Sequence, residues 1–278
     1  MGSSGLTIGV VAPAKAISQE TAEKVTRFAR EHYGSEIELR FHPQCFLTHG
    51  HFAGNDEARS LAFLEYANSP DIDVIWAARG GYGCMRLHDS MFERLNGNAN
   101  AKAYIGYSDF GAVLARLYKM QIGRPIHGPV AVEIERTGGE ACIARVFDYL
   151  TGRSLEGIEP MARAPHPRVA INLSIIEHLI GTHWQPDLSG HVLMIEDVGE
   201  YEYAIDRKMF TLCSNENIRQ ARGIALGRCS DIPENEIPFG MTYEESVREW
   251  CHRSGIEYLG RADIGHDIDN KLVVWGQG

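Results

Sequence analysis

No C-x-x-C pair occurs in this 278-residue chain: Cys45, Cys84, Cys142, Cys213, Cys229 and Cys251 are scattered singly. That leaves neither a zinc site nor a dithiol redox motif to read from their spacing. Lone cysteines in a chain without an export signal suit a reducing compartment, and the expected location is the cytoplasm. No apolar run approaches the roughly 20 residues that cross a bilayer, and no basic-then-apolar leader opens the chain, so no membrane association is expected. Lys/Arg clusters are missing too. With 27 basic and 37 acidic side chains, a net charge of −10 argues against nucleic acid as a partner. G-x-G-x-x-G, G-x-x-x-x-G-K-[ST] and H-E-x-x-H are all absent, so no cofactor and no metal is signalled. There are no internal repeats. The opening MGSSG reads as a cloning remnant.

What is present is an ordinary globular composition, 44% hydrophobic and 23% charged, long enough for one large domain or two modest ones. The first half alternates strand and helix patterns. LTIGVVAP (6–13), EIELRF (36–41), DVIWAA (73–78) and AKAYIGY (101–107) read as strands. Between and after them, 18–34, 55–68 and 111–120 have helical spacing, with Ser18 and Asn55 as caps and Gly34 as a stop. Such alternation predicts βαβ units and a parallel sheet, an α/β domain over 1–155. A helix over 138–152 ends it. RSLEGIEPMARAPHPR (153–168), with three prolines, reads as a connection. The remainder, 165–278, mixes INLSIIEHLIG as a helix with later strands and helices lacking strict alternation, which predicts a smaller α+β domain.

In an open parallel sheet, ligands gather beyond the carboxyl ends of the strands. Two segments lie at such ends: RGGYG after 73–78 and GYSDF after 101–107. Gly80, Gly81 and Gly83 would let the backbone approach a phosphate or form an oxyanion hole, or would simply make a tight turn. Ser108 is either the N-cap of the next helix or a nucleophile on a strand-to-helix turn. Gly106 suits a G-x-S elbow, but Phe110 stands where that motif requires glycine. Among twelve histidines, His127 in IHGP and His266 in ADIGHD stand out for lying in glycine-flanked strand-end turns. In VLMIEDVGE, four apolar residues run into Glu196 and Asp197. Carboxylates at a buried strand end need a partner, so a functional or ion-paired role follows.

With Ser108, Glu196 and His266 side by side, the chain resembles the LD-carboxypeptidase family. Seven segments carry the resemblance in order: GVVAPA, HFAGNDEARSLAF, ARGGYGCMRL, IGYSDFGAV, IHGP, IEDVGEYEYAIDRKM and DIGHD. The resemblance implies a Rossmann-like N-terminal domain, a smaller β-containing C-terminal domain and a cleft between them. It implies Ser108 as nucleophile, His266 as base and Glu196 orienting it, with backbone N–H groups of Asp109 and Gly81 as the oxyanion hole. It further implies release of terminal D-alanine from murein tetrapeptides during cytoplasmic cell-wall recycling, without a metal, by a homodimer. Arg79, beside Gly80, is available for the substrate's terminal carboxylate, or for a structural ion pair.

Two departures bear on the substrate. Ala170 and Ile171 of VAINL stand where relatives carry a Gly-Gly-Asn turn, and Gly111 stands where threonine is frequent. Side chains at 170 and 171 are expected to narrow backbone approach to a ligand. The alternatives are therefore hydrolysis of microcin-type acyl-sulfamoyl adenylates, or an inactive muropeptide-binding homologue. For the adenylate reading, the chain looks too short to hold a nucleotide-covering loop.

Overall fold

A computed structural model describes residues 5–276; the opening MGSS lies outside the described residues. Two sheets organise the chain. The first takes β1 (Leu6–Val11), β2 (Ile37–Phe41), β3 (Val74–Ala77), β4 (Ala103–Gly106) and β5 (Arg124–His127), all parallel, in the order 2-1-3-4-5. Helices α1 (Gln19–Tyr33), α2 (Asp56–Asn68), α3 (Asp89–Glu93), α4 (Gly97–Asn100) and α5 (Gly111–Met120) connect these strands, and α6 (Gly139–Thr151) follows β5. As read from the sequence, Ser18 caps α1 by accepting from Thr21 N at 3.0 Å, and Asn55 caps α2 by accepting from Ala58 N at 2.8 Å. The strand order reverses between β1 and β3, and such a switch point opens a crevice beyond the strands' carboxyl ends.

The second sheet differs from the α+β expectation. β6 (Arg168–Asn172), β7 (Val192–Val198), β8 (Gly223–Ser230) and β9 (Tyr258–Arg261) run parallel in sequence order. They alternate with α7 (Leu173–Leu179), α8 (Glu202–Ser214) and α9 (Tyr243–Ser254). The alternation is hidden in the sequence because the segment read as one helix from residue 171 is divided. Arg168–Asn172 is a fully buried strand, and only seven residues of helix follow, capped by Asn172, which accepts from Ile175 N at 3.1 Å.

The last strand, β10 (Val273–Val274), leaves the second sheet and pairs antiparallel with β5 of the first. The proline-rich connection is anchored as well. Glu159 N donates to Leu272 O at 3.0 Å, and the buried Arg168 guanidinium donates to the carbonyls of Ala162, Ala164 and Gly276. One apolar cluster runs from Phe110, Val113 and Leu117 into Ile171, Ile176 and Leu193, so α5 and α7 share a core. That shared packing holds the carboxyl ends of β4 and β7 in a fixed relation.

Candidate functional site

The Ser108 segment leaves β4 through a 3-10 turn, Ser108–Phe110, before α5 begins. Neither element has a side-chain cap, so the Ser108 hydroxyl does not act as the N-cap that the sequence left open. Its φ is +58°, left-handed backbone for a non-glycine residue, the type of strain that functional turns store. Gly106 allows it: a Cβ there would fall 2.5 Å from the Phe110 ring and 2.9 Å from Ala77. Asp109 is buried, and its Oδ2 accepts from Cys84 N at 2.8 Å, tying the serine turn to the glycine turn. Burial pushes the Asp109 carboxyl above its ordinary range, against the lowering effect of that bond.

The glycine turn lies directly against the serine. A Cβ on Gly80 would fall 2.9 Å from Ser108 Oγ and 3.0 Å from its Cβ. Gly81 has φ +127° and Gly83 +151°, so both need the freedom of glycine. Neither Gly81 N nor Asp109 N donates to a protein acceptor among the described residues. Arg79 does not reach a carboxylate: its Nη1 donates to Ala16 O at 3.4 Å, tying β3's end to the loop after β1.

Glu196 and Asp197 are adjacent on β7 and therefore point to opposite faces. Asp197 accepts from Asn172 Nδ2 at 2.9 Å and from Ser174 Oγ at 2.8 Å, with Lys208 Nζ at 3.8 Å. It supports the start of α7. Glu196, fully buried, faces the other way and meets His266 Nδ1 at 2.5 Å. Opposite Glu196 the β7–β8 register shifts, a bulge of the type that re-aims side chains. Gly227 lies in it, where a Cβ would come within 2.9 Å of Glu196 Cβ and 2.7 Å of Ile264.

The 263–270 loop carrying His266 is held from several sides. Arg228 pairs with Asp263 and Asp267, and Arg136 Nη1 donates to His266 O at 2.6 Å. Asn270 Oδ1 accepts from Gly265 N at 3.2 Å and joins His127 Nε2 at 3.0 Å. His127, noticed in the sequence, is thus a buried strut under the loop, its pKa lowered by burial. The Tyr107 ring lies 4.7 Å from the His266 ring, and its hydroxyl donates to Glu133 Oε1 at 2.5 Å. Glu133 in turn pairs with Arg136 at 2.8 Å. Tyr107, Glu133, Arg136 and Asn270 escaped the sequence reading, since nothing in their local patterns distinguishes them from core or surface polar residues.

Burial lowers the His266 pKa, but the Glu196 charge and hydrogen bond outweigh it, helped by Asp197 and Glu133, and the net shift is upward. His266 Nε2 is buried without a partner, and no hydrogen bond joins it to Ser108 among the described residues. An imidazole held at Nδ1 by a carboxylate, with Nε2 open, is set to take a proton from a hydroxyl.

Ala170 and Ile171 lie inside β6, both fully buried, and not on a ligand-facing turn as expected. The departures are coupled: a Cβ on Gly111 would meet Ile171 Cγ1 at 3.2 Å, so the missing threonine makes room for the isoleucine. All six cysteines are unpaired thiols, five of them buried. Burial pushes those of Cys45 and Cys251 up to about 12, where no nucleophilic thiolate is expected. Two concave regions lie elsewhere: a cavity of about 630 Å³ beside Arg124 and Trp275 and one of about 550 Å³ beside Pro233 and Phe239. Neither is lined by Ser108, Glu196 or His266.

Comparison with known proteins gives matches along nearly the whole chain. Residues 8–128 match the family model described as LD-carboxypeptidase N-terminal domain, and 168–278 the one described as LD-carboxypeptidase C-terminal domain. A murein tetrapeptide carboxypeptidase of Pseudomonas aeruginosa is 27% identical over 289 residues, covering 97% of this chain and 91% of its own. Among solved structures, a muramoyltetrapeptide carboxypeptidase of Oxalobacter formigenes superposes with a TM-score of 0.80 at 22% identity, covering 97% and 92% of the two chains. A microcin self immunity protein in complex with glutamyl sulfamoyl guanosine gives 0.77 at 18% identity, covering 99% and 97%.

Proposed function

This chain belongs to the LD-carboxypeptidase family and is a carboxypeptidase; from that premise we propose that it releases terminal D-alanine from murein tetrapeptides, with Ser108, His266 and Glu196 as its catalytic triad. The observation that carries the reading is the buried His266: Nδ1 on Glu196 at 2.5 Å and Nε2 without a partner, in van der Waals reach of the residue before Ser108.

Ser108 Oγ attacks the carbonyl of the L-centre to D-alanine bond while its proton passes to His266 Nε2. The oxyanion is received by the N–H groups of Gly81 and Asp109, which have no protein acceptor among the described residues. Collapse breaks the C–N bond, and the leaving D-alanine nitrogen takes the proton from His266. Water then attacks the acyl-serine with the same imidazole as base, regenerating the Ser108 hydroxyl. Glu196 fixes the tautomer with hydrogen on Nδ1 and stabilises the imidazolium formed in each half. The proposed location is the cytoplasm, in keeping with six unpaired cysteines, and the proposed assembly is the homodimer that the family resemblance implies.

The second substrate class is the acyl-sulfamoyl nucleotides, favoured by the fold shared with the microcin immunity protein. One panel separates them: the purified chain with L-Ala-γ-D-Glu-meso-diaminopimelate-D-Ala, its L-alanine-terminated analogue and aspartyl sulfamoyl adenosine. Release of D-alanine alone is the expected result. Cleavage of the sulfamoyl compound without D-alanine release would replace the reading with the second.

A further inference from the structure

A carboxypeptidase differs from an endopeptidase in demanding a free carboxylate on the residue it releases. In this site that anion must approach three buried acidic side chains, Asp109, Glu133 and Glu196, in a chain whose net charge is −10. A local cation would offset that repulsion. Most cations around the cleft are already engaged. Arg59 is tied to Asp56 and the carbonyls of Pro13 and Gly83, and Arg136 to Glu133. Arg228 is tied to Asp263 and Asp267, and Lys208 to Glu200 and Asp197.

Lys15 is different. It lies on the loop after β1, facing the glycine turn across the β1/β3 switch point. A Cβ on Gly81 would fall 2.9 Å from both Cγ and Cδ of Lys15 and 3.1 Å from its Cε, so the lysine stem crosses the open face of Gly81. Gly80, one residue earlier, lies against Ser108 Oγ. The two glycines are thus sandwiched between the serine and the lysine. No ion pair or side-chain hydrogen bond engages the Lys15 ammonium among the described residues, whereas Lys24, the next lysine along the chain, is taken by Glu20 and Glu135. Its loop is rigid: Gln44 bonds both backbone groups of Ala12, Ala53 N donates to Ala14 O at 2.9 Å, and Ile17 N to Cys45 O at 3.0 Å. Arg79, bonded to Ala16 O, props the same loop.

We infer that Lys15 receives the terminal carboxylate of the substrate, making it a specificity-determining residue; this rests on the hydrolase reading above. An acyl carbon beside Ser108 with its oxygen toward Gly81 N places the leaving residue's carboxylate less than about 4 Å beyond the scissile carbon, one residue's span. Lysine suits the position, because its stem packs on the glycine and a lysine ammonium can extend beyond its apolar stem to meet an anion.

The test uses binding in a Ser108→Ala background, so that turnover plays no part. Titration calorimetry compares the D-alanine-terminated tetrapeptide with its C-terminal amide, in Ser108→Ala and in Ser108→Ala/Lys15→Met. Methionine keeps a linear apolar side chain over Gly81 and removes the charge. The expected carboxylate-over-amide preference is about 10- to 100-fold in the parent, collapsing to within about 3-fold in the lysine variant. Lys15→Arg should retain part of it. An unchanged preference, or an equal loss of affinity for both ligands, overturns the role. Binding of neither ligand by the parent overturns it together with the muropeptide reading. A preference abolished by Lys15→Met in a chain whose native form releases no D-alanine would keep Lys15 and remove only the catalytic reading.

Discussion

Replacing Glu196 by glutamine changes one oxygen of a fully buried side chain to NH2 and keeps its volume. Two effects follow from the 2.5 Å contact with His266 Nδ1. The amide can donate to Nδ1, which favours the tautomer protonated on Nε2, the atom that must accept the Ser108 proton. The imidazolium formed during turnover also loses its counter-charge in a site where burial opposes it. An orienting carboxylate of this type is worth about 10³- to 10⁴-fold in kcat when exchanged for its amide, and that loss is the expected plateau effect. The pH profile carries the sign. In the native chain His266 titrates above its ordinary 6.5, and a base must be neutral to act, so kcat/KM falls as pH drops through a value above 6.5. In Glu196→Gln the raising charge is gone and burial remains, so the acid limb moves to lower pH while the plateau drops. D-alanine release followed between about pH 5 and 9 with an oxidase-coupled assay reads both. A plateau within about threefold of native, or an acid limb that does not move, would refute the assignment of Glu196.

Two further changes test the packing around the site. Gly80→Ala places a methyl 2.9 Å from Ser108 Oγ. It should lower kcat/KM by about 10²-fold with a thermal midpoint changed by only a few degrees; native activity in this variant would show that the glycine turn is not against the nucleophile. Gly111→Thr should cost about 1–3 kcal/mol in denaturant unfolding by pressing on Ile171, and adding Ile171→Ala should recover part of it. Strict additivity of the two changes would break the claim that these departures compensate each other.

The first sheet was legible because its strands are continuous apolar runs and its helices carry caps and glycine stops at the expected places, as at Ser18, Asn55 and Gly34. The second sheet was less so. Arg168–Asn172 follows prolines and merges without a break into a seven-residue helix, so neither period develops over enough residues to be told apart. The return of Val273–Val274 to the first sheet is a long-range pairing with no local signature. At the site, Ser108 alone was ambiguous between cap and nucleophile; the 3-10 turn inserted before α5 decides against the cap. Spacing could not link residues 108, 196 and 266, and the ordered resemblance supplied that link. Arg79 drew notice as a cation at a strand end, and one of its nitrogens donates to Ala16 O; Lys15 gave no sequence sign because its neighbour across the crevice is 66 residues away.

The central claim is that Ser108 performs the chemistry, and the direct measurement is D-alanine release by Ser108→Ala beside its affinity for the same tetrapeptide. The account predicts a fall in kcat of about 10⁴-fold or more with the dissociation constant within about threefold of native. Release by the alanine variant at a rate near native would contradict it.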